Sequence, residues 1–389
     1  MVNTMNDNKK MPAGNLARYV PAILFLAFVF GMAIWFLFAP KKDYSSSEKR
    51  YLQEFPDTSV DSIASGGFGT DFESFFADHF PGRNMWVGFN SYYNLAIGNN
   101  GADGVYNCSD DYLINKPVSE TENYIERNIG VISEFKKKTD KPMTVLLAPS
   151  TGYVASDVLP LIHNKYNDNK YIDSAITTFA ESGIDFVDLR EPFKNAYEIG
   201  NQIYYKTDHH WTTRGAFIAY TELCKKLRLE PASEEKFFKE AHGGFYGTTY
   251  STSGFWFTPP DEIEIWKDPE LTAQVKITEG GNTSDFDSLY FYDHLEEDDK
   301  YPVFIDGNHA LTEIINNNAK GGTAVVIKDS FSHSIAPFLA ENYKKLILVD
   351  LRYFKNSVSD LVKNENPDQL LCIYGIDNLA TDTDLAWLQ

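Results

Sequence analysis

Apolar and polar positions along this chain recur with two different periods, and the difference separates helices from strands. From Phe68 to Gly98 apolar and aromatic residues return at helical spacing, interrupted by Pro81 and Gly82 in ADHFPGRN, which predicts two helices joined by a turn. Ile125, Ile129, Ile132 and Phe135 keep one apolar face of a further helix that ends at the basic run Lys136 to Lys138, and Ser119 with Glu122 has the spacing of a capping box at its start. A hairpin is expected around Val105 to Ile114. Short runs rich in Val, Ile and Leu then alternate with helical stretches: Met143 to Ala148, Ile184 to Leu189, Ala324 to Lys328, Leu346 to Leu351 and Leu370 to Tyr374 read as strands, with helices ending near Gly183 and Gly200. Strands this uniformly apolar predict a parallel sheet covered by helices on both faces, an α/β fold. Between about Glu230 and Ala310 the alternation lapses into Gly, Asp, Thr and aromatic residues, read as a loop-rich insertion near 230–310 within one domain spanning 66–389.

One run stands outside this pattern. Val20 to Pro40 contains no charged residue and is long enough for a helix to cross a bilayer core of about 30 Å. No small-residue cleavage box follows, so the run reads as an uncleaved single-pass anchor in the cell membrane at 20–40, with a cytoplasmic tail at 1–19 and a linker at 41–65. Lys9, Lys10 and Arg18 precede it and Lys41, Lys42, Lys49 and Arg50 follow it, so flanking charge leaves the orientation open. Large domains translocate largely regardless of charge, and the family resemblance given below points outward, so the long following domain is expected outside the cytoplasm.

Composition narrows the partners. With 43% hydrophobic residues the chain is not disordered, and a net charge of −20 excludes a nucleic-acid partner, since phosphate backbones are bound by Lys and Arg. Cys108, Cys224 and Cys372 form no CxxC pair, and His163, His242, His294 and His333 are scattered without metal-ligand spacing, so neither a metal nor a cofactor is expected.

Two strings carry candidate chemistry. Thr207-Asp208-His209-His210-Trp211-Thr212 sits on a loop entering the helical stretch of Tyr220, Leu223 and Leu227. An Asp two residues before a His can hold one imidazole nitrogen and leave the other facing a substrate, the arrangement of a general base; a helix-capping Asp is the bland alternative. Lys328-Asp329-Ser330-Phe331-Ser332-His333-Ser334 follows a strand and opens a helix, which exposes Ser330 at the carboxyl edge of the sheet, where its own N–H and the helix dipole are available to a developing oxyanion. A serine there is also an ordinary N-cap. Taken together the strings supply nucleophile, base and orienter: Ser330, His210 and Asp208. Ser150, also after a strand, is the competing nucleophile. His209 receives no role. Arg352, Trp211, His333 and Tyr246 are candidates for the substrate or oxyanion site, and Tyr246 with Trp256 offers stacking surface for a sugar.

The string at Asp208 to Trp211, with FADHFPGRN at 76–84, GVYNCSDDYLI at 104–114, LLAPSTGYVASDVLP at 146–160, KDSFSHS and VDLRYF at 349–354, resembles the DHHW family and, through it, the SGNH-hydrolase-like alginate O-acetylation proteins of the AlgX and AlgJ type. The resemblance spans about 300 residues. It implies an SGNH-like fold, a permuted triad at Asp208, His210 and Ser330, serine-dependent transfer of an acetyl group to a cell-surface or exported polysaccharide, and a membrane-bound O-acyltransferase partner that supplies the acetyl group. An early GDS block is absent and Lys328 stands where a Gly is common, which leaves the oxyanion donors unassigned. The same residues serve a carbohydrate esterase, or an inactive envelope protein that binds or assembles glycan. The DHH triplet also raises metal-dependent phosphoester cleavage, against which Tyr204, Tyr205, Lys206 and Thr207 replace the expected apolar strand and no second aspartate motif follows.

Overall fold

The computed structural model describes residues 13–388, so Lys9, Lys10 and most of the expected cytoplasmic tail lie outside the described residues. The chain divides into two compact units, Met1–Val87 and Gly88–Gln389. The first opens with helix α1, Ala13–Phe38, whose stretch Arg18–Phe38 has the length and apolar composition to span a membrane. Leu24, Phe25, Phe30, Leu37 and Phe38 are all exposed on it, as expected of a helix that meets lipid. The segment 41–65, expected as a linker, carries a short strand pairing between Tyr44–Ser45 and Arg50–Tyr51 and a helix at Val60–Ser65. Arg50 bonds Asp78 and Glu48 there, and Arg83 bonds Glu48. The two helices expected around Pro81 and Gly82 are α2, Gly67–Asp78, and α3, Arg83–Ala96, which runs on into the second unit.

In the second unit, Val105–Asn107 and Leu113–Asn115 form the expected hairpin, with Gly101–Ala102 as a third strand. Helix α4, Ile125–Thr139, follows, but not from the expected capping box. Ser119 bonds the Glu122 side chain inside a separate 3₁₀ turn, and the Asn123 side chain instead accepts from the Ile125 N–H at 2.9 Å.

The main sheet has eight strands. They are β1 (Met143–Ala148), β2 (Asp185–Asp188), β3 (Gln274–Glu279), β4 (Asn282–Phe286), β5 (Leu311–Ile315), β6 (Gly321–Lys328), β7 (Tyr343–Val349) and β8 (Gln369–Gly375), in the order β4-β3-β5-β7-β6-β8-β1-β2. From β7 to β2 all neighbours are parallel, as expected; β5, β3 and β4 extend the sheet antiparallel, so it is mixed rather than wholly parallel. The region read as loop-rich supplies β3 and β4 and a separate pairing of Phe238–Phe245 with Asp261–Lys267. Two of its strands follow a period of two, Gln274–Glu279 and Asp261–Lys267; in the latter, DEIEIWK, Ile263 and Ile265 are buried and Glu262 and Glu264 are not.

The central strands bury both faces. Val325 and Ile327 of β6 pack with α4 and with α5 (Asp168–Glu181) on one side, while Ala324 and Val326 face the core that contains Phe193 of α6 (Arg190–Glu198), α7 (Thr213–Leu227) and α8 (Ser332–Leu339) on the other. Each such Val or Ile gains about 1.5–3 kcal/mol from burial. The layers hold the carboxyl ends of β6, β7 and β8 side by side, and the loops leaving those ends build a cleft.

Candidate active site

The stretch from Gln202 to Thr212 is a tight excursion before α7. Its backbone closes through a bridge between Tyr204 and Trp211 and a hydrogen bond from the Tyr205 N–H to the His210 carbonyl. The buried carboxylate of Asp261 pins the approach: it accepts from the N–H groups of Lys206 and Thr207 at 3.0 and 2.7 Å, from the Thr207 hydroxyl at 2.6 Å and from the Gln202 amide at 2.9 Å. Trp211 anchors the far end. It is fully buried and its Nε1–H donates to Ser334 Oγ at 2.8 Å and the Phe331 carbonyl at 3.1 Å, so it ties the loop to the start of α8 instead of facing a substrate as expected.

Between these anchors stand Asp208 and His210. Asp208 Oδ1 accepts from the His210 N–H at 2.8 Å and faces His210 Nδ1 at 2.5 Å, and its Oδ2 accepts from the N–H and hydroxyl of Thr248 at 2.7 and 3.1 Å. Burial opposes a charge on Asp208, but His210, His209 and these hydrogen bonds outweigh it and hold the carboxyl well below its usual range. An ionised Asp208 places the proton of His210 on Nδ1 and leaves Nε2 as an acceptor. That Nε2 lies 2.6 Å from Ser330 Oγ. The rings of Tyr301 and Phe331 pack against His210, with centroids 4.1 and 5.0 Å away.

Ser330 leaves β6 through a turn held by Asp329. Asp329 Oδ1 accepts from the Phe331 N–H at 2.9 Å, and Oδ2 accepts from the Gly375 N–H and the Asn378 amide, both at 2.8 Å. Burial pushes this carboxyl up to about 6 against those bonds. The turn needs Gly375, because a Cβ there would run into the Phe331 ring. No hydrogen bond occupies the Ser330 N–H among the described residues.

Asp208, His210 and Ser330 line one cleft of about 490 Å³, together with His209, Tyr301, Asn308, His333, Arg352 and Asn378. Arg352 reaches it from the end of β7, its Nε and Nη2 held by Asp350 at 2.8 and 2.6 Å and Nη2 also by Asn308 at 2.7 Å. His333 lines the cleft too, but its Nε2 accepts from Lys328 Nζ at 2.8 Å, and Lys328 is buried against Asp350 at 2.9 Å. Lys328 is thus part of a buried charge cluster beneath the site. Ser150, the competing nucleophile, is buried away from the cleft with its hydroxyl on Asp168 at 2.8 Å. Tyr246 does not line the cleft; it stacks on Tyr250, ring centroids 4.2 Å apart. Sequence reading missed Asp261, Tyr301, Thr248 and Gly247, all contributed by the stretch without clear periodicity.

Asp208, His209 and His210 also have ligand atoms within 4.8 Å of one another, the spacing of a metal site. Their facing atoms are already paired: both Asp208 oxygens with His210 and Thr248, His209 Nδ1 with Thr248, and the two His210 nitrogens with Asp208 and Ser330. That hydrogen-bonded chain matches an acid–base relay better than an open ligand set.

Comparison with known proteins agrees with the resemblance read from the sequence. A family model described as DHHW protein matches residues 188–349, and one described as SGNH hydrolase-like domain, acetyltransferase AlgX, matches residues 112–249. The chain is 23% identical over 354 residues to the probable alginate O-acetylase AlgJ of Pseudomonas fluorescens, covering 84% of this chain and 82% of that protein. Among solved structures, a DHHW family protein from Eubacterium siraeum superposes with a TM-score of 0.62 at 19% identity, over 74% of this chain and 95% of that one. Bacillus cereus PatB1 with a sulfonyl adduct superposes with a TM-score of 0.59 at 21% identity, over 72% and 97%. These likenesses establish an SGNH-like α/β fold.

Proposed function

We propose that the chain is a serine-dependent O-acetyltransferase of SGNH type that acts on a polysaccharide, with Ser330 as nucleophile, His210 as general base and Asp208 as its orienter. The observation that carries the reading is the continuous contact from Asp208 through His210 to Ser330 Oγ, at 2.5 and 2.6 Å, on the floor of an open cleft. His210 Nε2 takes the Ser330 proton as Oγ attacks an acetyl donor; the donor's leaving group takes that proton as the tetrahedral centre collapses to acetyl-Ser330. An acceptor hydroxyl then gives its proton to His210 and attacks the acetyl carbon, the Ser330–acetyl bond breaks, and the proton returns to Oγ. The free N–H of Ser330 is the backbone donor for the oxyanion. Asn378, which lines the cleft and gives one amide proton to Asp329, is the side-chain donor, and Arg352 supplies positive charge.

Polysaccharide as acceptor follows from the likeness to AlgJ and to the acetyltransferase AlgX family model. The apolar helix Arg18–Phe38 anchors the enzyme to a membrane with the 66–389 domain outside the cytoplasm, where exported polysaccharide emerges. A membrane-bound O-acyltransferase delivers the acetyl group. The test uses the detergent-solubilised full chain with p-nitrophenyl acetate. An acetyl adduct on Ser330 found by mass spectrometry, absent from Ser330→Ala and His210→Ala, is the expected result; full turnover in Ser330→Ala rejects the assignment.

A further inference from the structure

The first imidazole of the Asp-His-His-Trp string, His209, has no part in the relay above. His209 lines the same cleft as Ser330, with a quarter of its side chain exposed, and its ring centroid lies 3.9 Å from that of His210. Its Nδ1 is 2.6 Å from Thr248 Oγ1, which is itself 3.1 Å from Asp208 Oδ2.

These contacts fix the protons. Asp208 is ionised, so the single hydroxyl proton of Thr248 goes to the carboxylate; turned the other way, it would leave bare oxygens facing each other. Thr248 then offers His209 only lone pairs, and Nδ1 of His209 must carry the hydrogen. The enclosing cleft, and after it the neighbouring His210, hold the His209 ring down to about 4, so at neutral pH it is uncharged. Its Nε2 is therefore a bare acceptor: the ring's one hydrogen bond among the described residues is at Nδ1.

An acceptor atom on the wall of a reaction cleft selects a ligand that brings a donor. The acetyl donor's carbonyl and ester oxygens bring none. A polyhydroxylated acceptor brings one hydroxyl for His210 and others beside it. We propose that His209 Nε2 accepts a hydrogen bond from the hydroxyl adjacent to the one that attacks, so that the enzyme transfers acetyl to vicinal diols, as on a sugar ring, in preference to isolated alcohols. This rests on the Ser330 acyl-enzyme reading. The balance of the step is unchanged: the attacking hydroxyl forms the new ester bond, its proton passes through His210 Nε2 to Ser330 Oγ, and His209 keeps its own proton throughout.

The test loads the full-length protein with p-nitrophenyl acetate, follows acetyl-Ser330 by mass spectrometry, and offers matched acceptors: ethylene glycol against ethanol, cis-1,2-cyclohexanediol against cyclohexanol. The wild type should favour each diol by roughly tenfold, the low end of the effect expected when a partly exposed polar group is left without its partner. His209→Asn keeps an amide N–H at the Nδ1 position for Thr248 but loses the distal acceptor, and should lose the preference. His209→Gln keeps a distal acceptor and should retain much of it. The reverse pattern, with Asn normal and Gln impaired, would show that His209 acts only by steadying Thr248 and Asp208, and overturns the proposal. An acyl-enzyme consumed equally by diols and simple alcohols overturns it as well, leaving Ser330 in place. No acetyl-Ser330 in the wild type overturns the nucleophile assignment and this role with it.

Discussion

Gly247 lies so close to Asp208 that a Cβ built on it would run into the Cβ and Oδ2 of the aspartate. The contact is backbone against carboxylate, with the Thr248 N–H donating to Oδ2 beside it, so neither side can swing away. Gly247→Ala is expected to cost about 1–3 kcal/mol, the usual range for overpacking. The acylation rate should fall much further than that stability change explains, because the methyl displaces the group that orients His210. Thermal unfolding and acetyl-Ser330 formation, measured on the same preparation, check both halves; an alanine variant with a wild-type acylation rate contradicts the packing argument.

Asp208→Asn tests the electrostatic half separately. The amide is nearly isosteric but no longer forces the His210 proton onto Nδ1, and it can donate where Thr248 already donates. The expected result is a loss on the order of 10⁴-fold in acylation with the fold retained. A loss below about tenfold would mean that the carboxylate is only an anchor for the loop.

Much of this arrangement was legible in the sequence, and the reason is spacing. Strands such as Met143–Ala148, buried on both faces, are continuous apolar runs that only an α/β sheet explains, and the strand-to-helix placement of Ser330 follows from them. Asp208 and His210 sit two residues apart, so a local reading finds them. The rest depends on long-range contacts. Asp261 reaches Thr207 across 54 positions and Thr248 reaches Asp208 across 40, out of a stretch whose Gly and aromatic residues read as loop. Adjacency to the histidines makes Trp211 a substrate candidate, yet its bridge to Tyr204 and its hydrogen bonds to Ser334 and Phe331, 123 and 120 positions away, turn it into the core.

The buried lysine beneath the site should show a one-sided response. Lys328 and Asp350 are each about 1% exposed and 2.9 Å apart. Removing the lysine leaves Asp350 paired with Arg352, whereas removing the aspartate leaves an ammonium buried beside the Arg352 cation. Asp350→Ala is expected to lose about 3–5 kcal/mol and Lys328→Met clearly less. Burial already lowers the Lys328 pKa despite Asp350, so without its partner the lysine sheds its proton more readily and the Asp350→Ala penalty should shrink as pH rises. Urea unfolding of the two variants across pH decides it; equal penalties would mean that the pair is not carrying a buried charge.

The loop that supports Arg352 is held by titratable groups, and its stability should follow them. Ile305, Asp306 and Gly307 have φ of 50°, 62° and 77°, a left-handed run that is costly at a β-branched residue and must be restrained from outside. The restraint is Asp306, whose Oδ1 meets His294 Nε2 at 2.6 Å and whose Oδ2 meets His309 Nε2 at 3.1 Å. On their other nitrogens the two rings face Glu297 at 2.9 Å and Glu279 at 3.2 Å. Burial disfavours the imidazolium forms, but the carboxylates prevail and raise both histidines, while the same two histidines lower Asp306 against its own burial. The signs then fix the window. The raised histidines contribute stability fully below their unfolded value near 6.5, and it is lost as pH climbs through their folded values; the lowered Asp306 contributes above its unfolded value of about 3.9. Both contributions are present together between those limits. The Tm difference between wild type and Asp306→Asn should therefore be a few degrees near pH 5.5 and narrow toward pH 9. Because the Asn308 side chain bonds Arg352 from this loop, the binding of a polyhydroxylated acceptor should weaken over the same range. A Tm difference that stays flat from about pH 5.5 to 9 would mean that His294 and His309 remain neutral in the folded chain, and that the loop is held by packing alone.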